Sequence, residues 1–540
     1  MPTPHLLCLI RFLAASVFFL PVSAASAATE PVTLATYPQR VRTFHALTDP
    51  AVPAGVLAPA TPLPVGAVAA SARATDGATW LGTAQGALRL DDTAAARDRR
   101  QYFAGRRYLP DDDVQQLFPD TTGGMWVRTR TGVSHLELRP MTLAQKAAHF
   151  EQLVAARHDR YGLLGDSQLA TPGDLATNVP VDNDNNGLWT SIYAAAECFR
   201  YGVTKSPEAL ARAKKSLEAM LFLEEVTGKR GFPARSYIRK GDRMPTDGEW
   251  HWTADGQYYW KGDTSSDEIV GYFFVFGIAC DLLPDAELKA RLIAATRRIM
   301  DHIIANGYYL VDVDGRPTLW GKWSLAYFAK DPDDTALNSL ELLSFLKTTA
   351  HLTGDARYEK EYQKVARELN YADLILRLKQ VRKVINYSDE ELAMLPFYGI
   401  FRYEKDPALL ANYRRALDDW WENMARELSP PWTFIYLTGR PDATVDLPGA
   451  VWTLTRMPLD VIHWDVKNSH RADLVWSPTP DRFGKREALT LLPPDERPTM
   501  RWNANPFVVD GGKGGRSEDD GAAFLLPYWL GRYHRFILGE

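Results

Sequence analysis

The sequence predicts a mainly α-helical protein, built as a double-layered ring of helices with a small β region near its N-terminus. Helices that are apolar nearly all round alternate along the chain with amphipathic helices, and short turns join them in pairs. A helix pattern with an internal proline also occurs twice, as Asp389 followed by Leu-Pro-Phe-Tyr at 395–398 and as Asp520 followed by Leu-Pro-Tyr-Trp at 526–529. An all-apolar helix must be buried and an amphipathic one lies on a surface, so this alternation places one layer of helices inside another.

Composition excludes several classes of protein. The 540 residues are 46% hydrophobic and 24% charged, which is usual for a globular chain, and the length suggests about two or three domains. The formal net charge is -5 and no stripe of lysine or arginine occurs, so nucleic acid is not an expected partner. The 16 Trp and 23 Tyr supply flat rings that pack cores and also stack on sugars.

Residues 1–27 have the pattern of a signal peptide. A mostly apolar run from Leu6 to Leu20 precedes small residues, and Ala25-Ser26-Ala27 fits an A-x-A cleavage site. We therefore expect export to the periplasm or the extracellular space. An uncleaved membrane anchor is the alternative, and no later segment is long and apolar enough to span a bilayer.

Residues 28–140 contain two similar segments, one at 76–90 and one at 123–136. Each predicts a strand, a glycine turn and a second strand. Asp76-Gly77-Ala78-Thr79-Trp80-Leu81-Gly82-Thr83 in the first and Gly123-Gly124-Met125-Trp126-Val127-Arg128-Thr129 in the second resemble the blade repeats of sensor-type β-propellers found in two-component regulators. Two blades cannot close a propeller, so we expect a small β domain packed on the main one.

Residues 141–540 contain the helix pairs. In each pair an apolar helix precedes an amphipathic one, and Asp, Ser or Pro stands where the second helix starts. A last helix at 519–538 would close the ring, which predicts an (α/α) toroid; an unrelated helical bundle is the alternative. The predicted pairs are 189–201 with 207–225, 269–283 with 286–305, 337–352 with 358–378, and 392–403 with 408–428.

An acidic loop precedes each predicted inner helix. In a toroid all inner helices begin at the same end, so the loops should gather around one mouth. Helix capping is the other interpretation, since Ser265 with Glu268 and Ser388 with Glu391 fit capping boxes. The five loops are 182–187, 263–268, 331–335, 388–391 and 518–521.

Aromatic side chains accompany these loops, and capping does not explain them. Carboxylates lined by indole rings suit the cleavage of a glycosidic bond, where one acid protonates the leaving oxygen, one base activates water and flat rings hold the sugar. Carboxylates crowded at one mouth would also push their pKa values apart, which allows that division of labour.

The helix pattern, together with the loop from Trp260 to Glu268, resembles the (α/α)6-toroid carbohydrate-active enzymes, which include glycoside hydrolases and polysaccharide lyases. The likeness covers roughly residues 141–540 and implies catalysis at the mouth formed by the inner-helix starts. One catalytic carboxylate is then Asp267 or Glu268, faced across the ring by Asp184, Asp334 or Asp520. The expected substrate-binding residues are Trp189, Arg235, His251, Trp252, Trp260, Asp263, Trp323, Asp389, Trp502 and Asp519.

A calcium ion is one interpretation of the first acidic loop. Asp182, Asp184 and Asn186 followed by Gly187 match the first half of a calcium-binding loop, but Tyr193 stands where that motif places a bidentate Glu. A turn with a helix cap, or direct catalytic use, are the alternatives. No other cofactor is expected.

The expected function is a glycoside hydrolase that cleaves an oligo- or polysaccharide with paired carboxylates and inverts the anomeric centre. A polysaccharide lyase or unsaturated-uronide hydrolase is the second interpretation, with Arg235 and His251 placed to neutralise a uronate. A non-catalytic glycan-binding or sensory protein is the third, prompted by the propeller-like repeats.

Overall fold

The computed structural model describes residues 29–46, 48–53, 56, 68–382, 384–498, 500–501 and 503–539. The expected signal peptide therefore lies outside the described residues. Within the described ranges, none of the helices combines the length and the apolar character that crossing a membrane requires. The predicted mainly α-helical fold with a smaller β region is confirmed.

The strands are short and most lie in the first third of the chain. In chain order they are β1 (Val32–Thr33), β2 (Tyr37–His45), β3 (Ala70–Arg73), β4 (Thr79–Thr83), β5 (Gly86–Leu90), β6 (Arg100–Phe103), β7 (Val114–Pro119), β8 (Met125–Thr129), β9 (Val133–Met141), β10 (Asp159–Arg160), β11 (Leu163–Leu164), β12 (Asp166–Leu169), β13 (Asn178–Val181), β14 (Ser236–Arg239), β15 (Trp250–Trp252), β16 (Tyr258–Lys261), β17 (Tyr309–Val311), β18 (Pro317–Lys322), β19 (Ser517–Glu518) and β20 (Ile537–Leu538).

Two antiparallel four-stranded sheets form the N-terminal β region. One has the order β3-β4-β5-β6 and the other β2-β9-β8-β7. Each predicted strand-turn-strand segment forms the two central strands of one sheet, β4 and β5 in the first and β8 and β9 in the second. Trp80, Phe103 and Val127 share one buried cluster between the sheets. The likeness to propeller blades stays a prediction.

Buried ion pairs fix this β region to the helical part. Asp495 pairs with Arg40 from β2 and, at 3.0 Å, with Arg456, and the Arg456 guanidinium also lies 2.6 Å from Asp98. At the opposite end of the chain β20 pairs in parallel with β1. The first described strand is thereby held by the last.

Helices make up most of the remaining chain. In chain order they are α1 (Leu143–Leu153), α2 (Asn186–Thr204), α3 (Pro207–Glu225), α4 (Ser266–Leu282), α5 (Ala286–Ala305), α6 (Leu325–Phe328), α7 (Thr335–Thr353), α8 (Ala356–Gln363), α9 (Tyr371–Leu374), α10 (Leu378–Val381), α11 (Tyr387–Tyr403), α12 (Pro407–Met424), α13 (Pro430–Gly439), α14 (Leu447–Arg456) and α15 (Ala522–Tyr533).

Within the described residues, six helices close an inner ring in the order α2, α4, α7, α11, α13 and α15, and α15 packs back against α2. Helices α1, α3, α5, α8–α10, α12 and α14 lie against this ring from outside. Two pairs show that neighbouring inner helices run in the same direction. Ser344 Oγ, in the middle of α7, donates to Pro396 O at the same depth of α11, 2.9 Å away, and Gly187 at the start of α2 lies against Glu268 at the start of α4. The starts of the inner helices therefore lie at one end, which we call the mouth.

Two predicted helices differ in detail from the structure, and one pair of helices was missed. The predicted helix at 358–378 is broken, because Asn370 has a left-handed backbone (φ 67°) that an α-helix cannot continue through. The predicted helix at 519–538 spans only α15, and its last residues form β20 instead. The pair α13–α14 was not predicted, since α13 is short and starts with two prolines.

Candidate active site

Asp267 lies in the first turn of α4 and is held by side chains from other segments. Asn185 Nδ2 donates to Asp267 Oδ2 at 2.8 Å. The side-chain oxygen of the same residue, Asn185 Oδ1, accepts from Arg235 Nη2 at 2.9 Å and from Ser265 Oγ at 2.8 Å. The predicted capping box of Ser265 with Glu268 is therefore wrong, because the Ser265 hydroxyl is used by Asn185 and makes no cap.

Burial, together with the negative charge of Asp389, raises the pKa of Asp267 from its ordinary 3.8 to about 6. The Arg235 guanidinium and the hydrogen bond from Asn185 act in the opposite direction. Asp267 can therefore carry a proton near neutral pH, which is what a general acid needs.

Asp334 and Asp389 come from the starts of the two following inner helices. Arg382 Nη2 donates to Asp389 Oδ2 at 2.6 Å and lies 3.6 Å from Asp334 Oδ1. The Tyr327 hydroxyl donates to Asp334 Oδ2 at 2.6 Å. Burial raises the pKa of Asp334, helped by the charge of Asp389, while Tyr327 and Arg382 oppose the shift.

The structure thus brings together three of the predicted acidic residues, Asp267, Asp334 and Asp389, which we call the mouth cluster. All three are partly exposed at the starts of α4, α7 and α11. The predicted capping box of Ser388 with Glu391 is wrong, since α11 begins one residue earlier at Tyr387 and Ser388 lies inside it.

Glu341 lies beneath the mouth cluster and was missed in the sequence. Its Oε2 accepts from Trp323 Nε1 at 2.7 Å, and both side chains are fully buried. Burial, together with the charges of the mouth cluster, raises the pKa of Glu341 well above its ordinary value. Trp323, predicted to bind substrate, instead positions Glu341. The only sequence signal was a lone Glu inside the apolar run of α7.

Glu268 follows Asp267 in the sequence but is completely buried. Its carboxyl group lies against the start of α2, so closely that a Cβ added at Gly187 would stand 2.1 Å from Glu268 Oε2. Burial raises the pKa of Glu268 well above its ordinary value. Glu268 is therefore enclosed at the contact between α2 and α4 and is not open to a substrate.

Asp519 and Asp520, which we call the α15 pair, have different surroundings. Arg501 Nε donates to Asp519 Oδ1 at 3.3 Å, and His463 Nε2 lies 3.4 Å from Oδ2. Burial alone would raise the pKa of Asp519, but Arg501 and His463 outweigh it and hold that pKa far below its ordinary value. Burial and the charge of Asp519 raise the pKa of Asp520.

The side chains of the first acidic loop have protein partners, and calcium binding there stays a prediction. Asn186 Oδ1 already accepts from Arg160 Nη2 at 2.8 Å and from Ser236 Oγ at 2.5 Å. Asp184 is mostly exposed and pairs with Lys261, and burial raises the pKa of Asp182. Nowhere in the described parts of the chain are three or more His, Cys, Asp or Glu side chains grouped to hold a metal ion.

The predicted aromatic loop divides into buried and open parts. Trp260 is buried with the His251 ring 4.6 Å from it, and His251 Nε2 is enclosed. Trp252 is 49% exposed and remains open to a ligand. Asp263 Oδ1 accepts from the backbone N–H of Leu319 at 2.7 Å, which ties two hairpins together.

Two further predicted residues complete the account. Trp189 is half-buried, with the Arg501 guanidinium 4.9 Å from its ring centre. Trp502 lies outside the described residues. Of the charged and polar groups that surround the mouth cluster, Arg235 was predicted and Asn185 lies in the predicted loop 182–187, but nothing near them in the sequence marks Tyr327 or Arg382.

No protein-family model matches the chain, and no curated protein sequence matches it either. Among solved structures, a thermostable endoglucanase from Alicyclobacillus acidocaldarius is 12% identical, covers 85% of this chain and 94% of its own, and has a TM-score of 0.39. A cellobiose 2-epimerase from Bacillus thermoamylovorans is 10% identical, with coverages of 72% and 98% and a TM-score of 0.30.

A family 76 glycoside hydrolase (mannosidase) from Bacteroides thetaiotaomicron is 11% identical, with coverages of 53% and 87% and a TM-score of 0.25. At TM-scores this low, none of these proteins assigns a function or a site residue to the chain.

Proposed function

We propose that the protein is a glycoside hydrolase of the (α/α)6-toroid type, in which Asp267 is the general acid and Asp389 the general base. One observation carries the proposal. Burial raises the pKa of Asp267 to about 6, while the neighbouring Asp389 is paired with Arg382 at 2.6 Å. Two nearby carboxyl groups in such different surroundings, one with a raised pKa and one beside a guanidinium, suit the acid–base cleavage of a glycosidic bond.

The roles follow from these contacts. Asp267 donates its proton to the glycosidic oxygen as the bond from that oxygen to the anomeric carbon breaks. Asp389 removes a proton from a water molecule as the water oxygen bonds to the same carbon from the other side. This single displacement leaves the released sugar with inverted configuration, Asp267 without its proton and Asp389 with the proton taken from water. Both groups then exchange protons with solvent before the next turnover.

Access to the mouth supports this choice of residues. Asp267 and Asp389 are partly exposed, whereas Glu268 and Glu341 are completely buried. Asp520 is also enclosed, and Asp184 lies outside the mouth cluster with Lys261 as its partner. The exposed face of Trp252 is suited to stacking on sugar.

A lyase would instead need a tyrosine or histidine base beside the substrate. Burial and the hydrogen bond to Asp334 raise the pKa of Tyr327, which disfavours the tyrosinate form. His251 Nε2 is enclosed behind Gly262. The contacts of both residues therefore favour hydrolysis over elimination.

The experiment is a panel of neutral and acidic polysaccharides, read for new reducing ends and for the ultraviolet absorbance of unsaturated products. We expect new reducing ends without unsaturated products, and we expect the release of reducing ends to be lost in Asp267→Asn and Asp389→Asn. Asp184→Asn is the matched control and should stay within a few-fold of the unmodified protein. Unsaturated products would favour a lyase, and glycan binding without release of sugar would favour a non-catalytic protein.

A further inference from the structure

A cavity of about 440 Å³ opens beside the mouth cluster. One wall is the start of α11 at Asn386, Tyr387 and Ser388, immediately before Asp389. The other walls come from the long segment between α14 and α15, which reaches back over the mouth. This volume lies in the usual range for small-molecule sites.

Basic side chains dominate the far wall of this cavity. Arg482, Lys485 and Lys513 line it, and all three side chains are exposed. None of the three forms an ion pair with a carboxylate of the described residues. Lys261 and Arg382, by contrast, are paired with carboxylates, Lys261 with Asp184 and Arg382 with Asp389.

Two carboxylates also line the cavity, but backbone groups occupy them. Asp481 Oδ1 accepts from the N–H groups of Phe483 at 2.9 Å and Lys485 at 2.7 Å. Asp510 Oδ1 accepts from the N–H groups of Asn468 at 2.6 Å and Ser469 at 2.9 Å. These carboxylates hold the loops that present the basic side chains, and the wall keeps an excess of positive charge.

The position of this charge has a consequence for ligands. The mouth cluster is negative and would repel an acidic ligand, because like charges near a low-dielectric wall interact strongly. Three unpaired cations a short way along the mouth offset that repulsion locally. Phe483, which is 74% exposed, adds a flat apolar face at the same wall.

We propose that this cavity is a subsite for an acidic sugar unit, whose carboxylate or sulfate group is bound by Arg482, Lys485 and Lys513. The inference rests on the proposed hydrolase function and adds the substrate class, an anionic glycan. The substrate then enters with its charged unit at the basic wall and its scissile bond at Asp267 and Asp389.

The test measures binding separately from catalysis, in the full chain carrying Asp267→Asn. The probes are two matched pairs of polymers: polygalacturonate with its methyl ester, and dextran sulfate with dextran. We expect tighter binding of one charged member than of its neutral partner. Lys485→Ala with Lys513→Ala should weaken that binding by about tenfold, as expected for the loss of two exposed ion pairs. High salt should reduce the difference.

Lys360→Ala with Lys405→Ala is the control, because it removes the same charge from exposed positions on an outer helix and on a turn away from the mouth. Equal weakening by both double variants, or no preference for either charged polymer, would overturn the subsite. The response to the two pairs distinguishes a carboxylate from a sulfate. Failure of the unmodified protein to release any sugar would count against the hydrolase instead, since binding does not depend on turnover.

Discussion

The mouth cluster and the α15 pair are both acidic residues at the starts of inner helices, yet their surroundings give them opposite properties. The pKa of Asp267 is raised to about 6, because burial and Asp389 outweigh Arg235. The pKa of Asp519 is lowered, because Arg501 and His463 outweigh burial. The arrangement of nearby cations, rather than the presence of acidic residues, separates a carboxyl group with a raised pKa from a structural ion pair.

The largest expected effect distinguishes Asp267 from its neighbour in sequence. Asp267→Asn should lower kcat by on the order of 10³-fold, because the proton donor is lost. Glu268→Gln should stay within a few-fold, because Glu268 is buried with a raised pKa and Gln resembles its protonated form. Steady-state kinetics on the best substrate of the panel measure both. Equal losses in the two variants would remove the distinction.

The next effect concerns the α15 pair and is one of stability. Arg501→Gln should lower the free energy of unfolding by about 3 kcal/mol at pH 7, because it leaves the buried Asp519 charge with less compensation. The lowered pKa of Asp519 gives stability that is present above its ordinary pKa of 3.8 and is lost as pH falls further. The cost of the variant should therefore shrink in acid.

Thermal unfolding measured between pH 3 and pH 8 checks this prediction. Arg486→Gln is the control, since Arg486 is exposed and lies over the Trp476 ring. An unchanged melting temperature in Arg501→Gln would show that Arg501 does not stabilise the pair.

The mouth cluster should give a stability effect of the opposite sign. The fold loses stability as pH rises from about 4 to about 6, because the unfolded chain releases the Asp267 proton at a lower pH than the folded protein does. Asp267→Asn removes that cost, so it should be more stable than the unmodified protein by about 1–2 kcal/mol at pH 7 and equally stable at pH 4. Unfolding by urea at the two pH values measures the difference. A variant that is less stable at both would contradict it.

The smallest effect is on the pH profile. Activity should fall as pH rises through about 6, where Asp267 loses its proton. The Arg235 guanidinium lowers this pKa, so Arg235→Gln should move the falling limb of kcat to higher pH by roughly half a unit to one unit. A shift to lower pH would mean that Arg235 does not act on Asp267.

The sequence predicted those features of the fold that depend on local pattern. The bounds predicted for α3 and α5 agree with those in the structure, because the side chains of Ser206 and Asp285 cap these helices. The inner helices were recognised because they are apolar all round. Helix α13 was not, since it is only ten residues long and begins with two prolines, a pattern that a loop also shows.

The site was predictable only to the level of acidic helix starts. Asp267 and Glu268 are equivalent in sequence, and the rotation of α4 in the ring decides that one faces the mouth and the other the core. The partners that set their pKa values are distant in the chain, as Asn185 is from Asp267 and Arg382 from Asp334. No local pattern could indicate which carboxylates would be neutralised.

The central claim is tested most directly by comparing kcat of Asp267→Asn on two substrates that differ in their leaving group. On the sugar that the panel identifies, kcat would be measured for a dinitrophenyl glycoside, whose leaving group needs no proton, and for the natural glycoside. We predict that the variant hydrolyses the dinitrophenyl glycoside at close to the unmodified rate while losing on the order of 10³-fold on the natural one. Equal losses on both substrates, or none on either, would contradict Asp267 as the general acid.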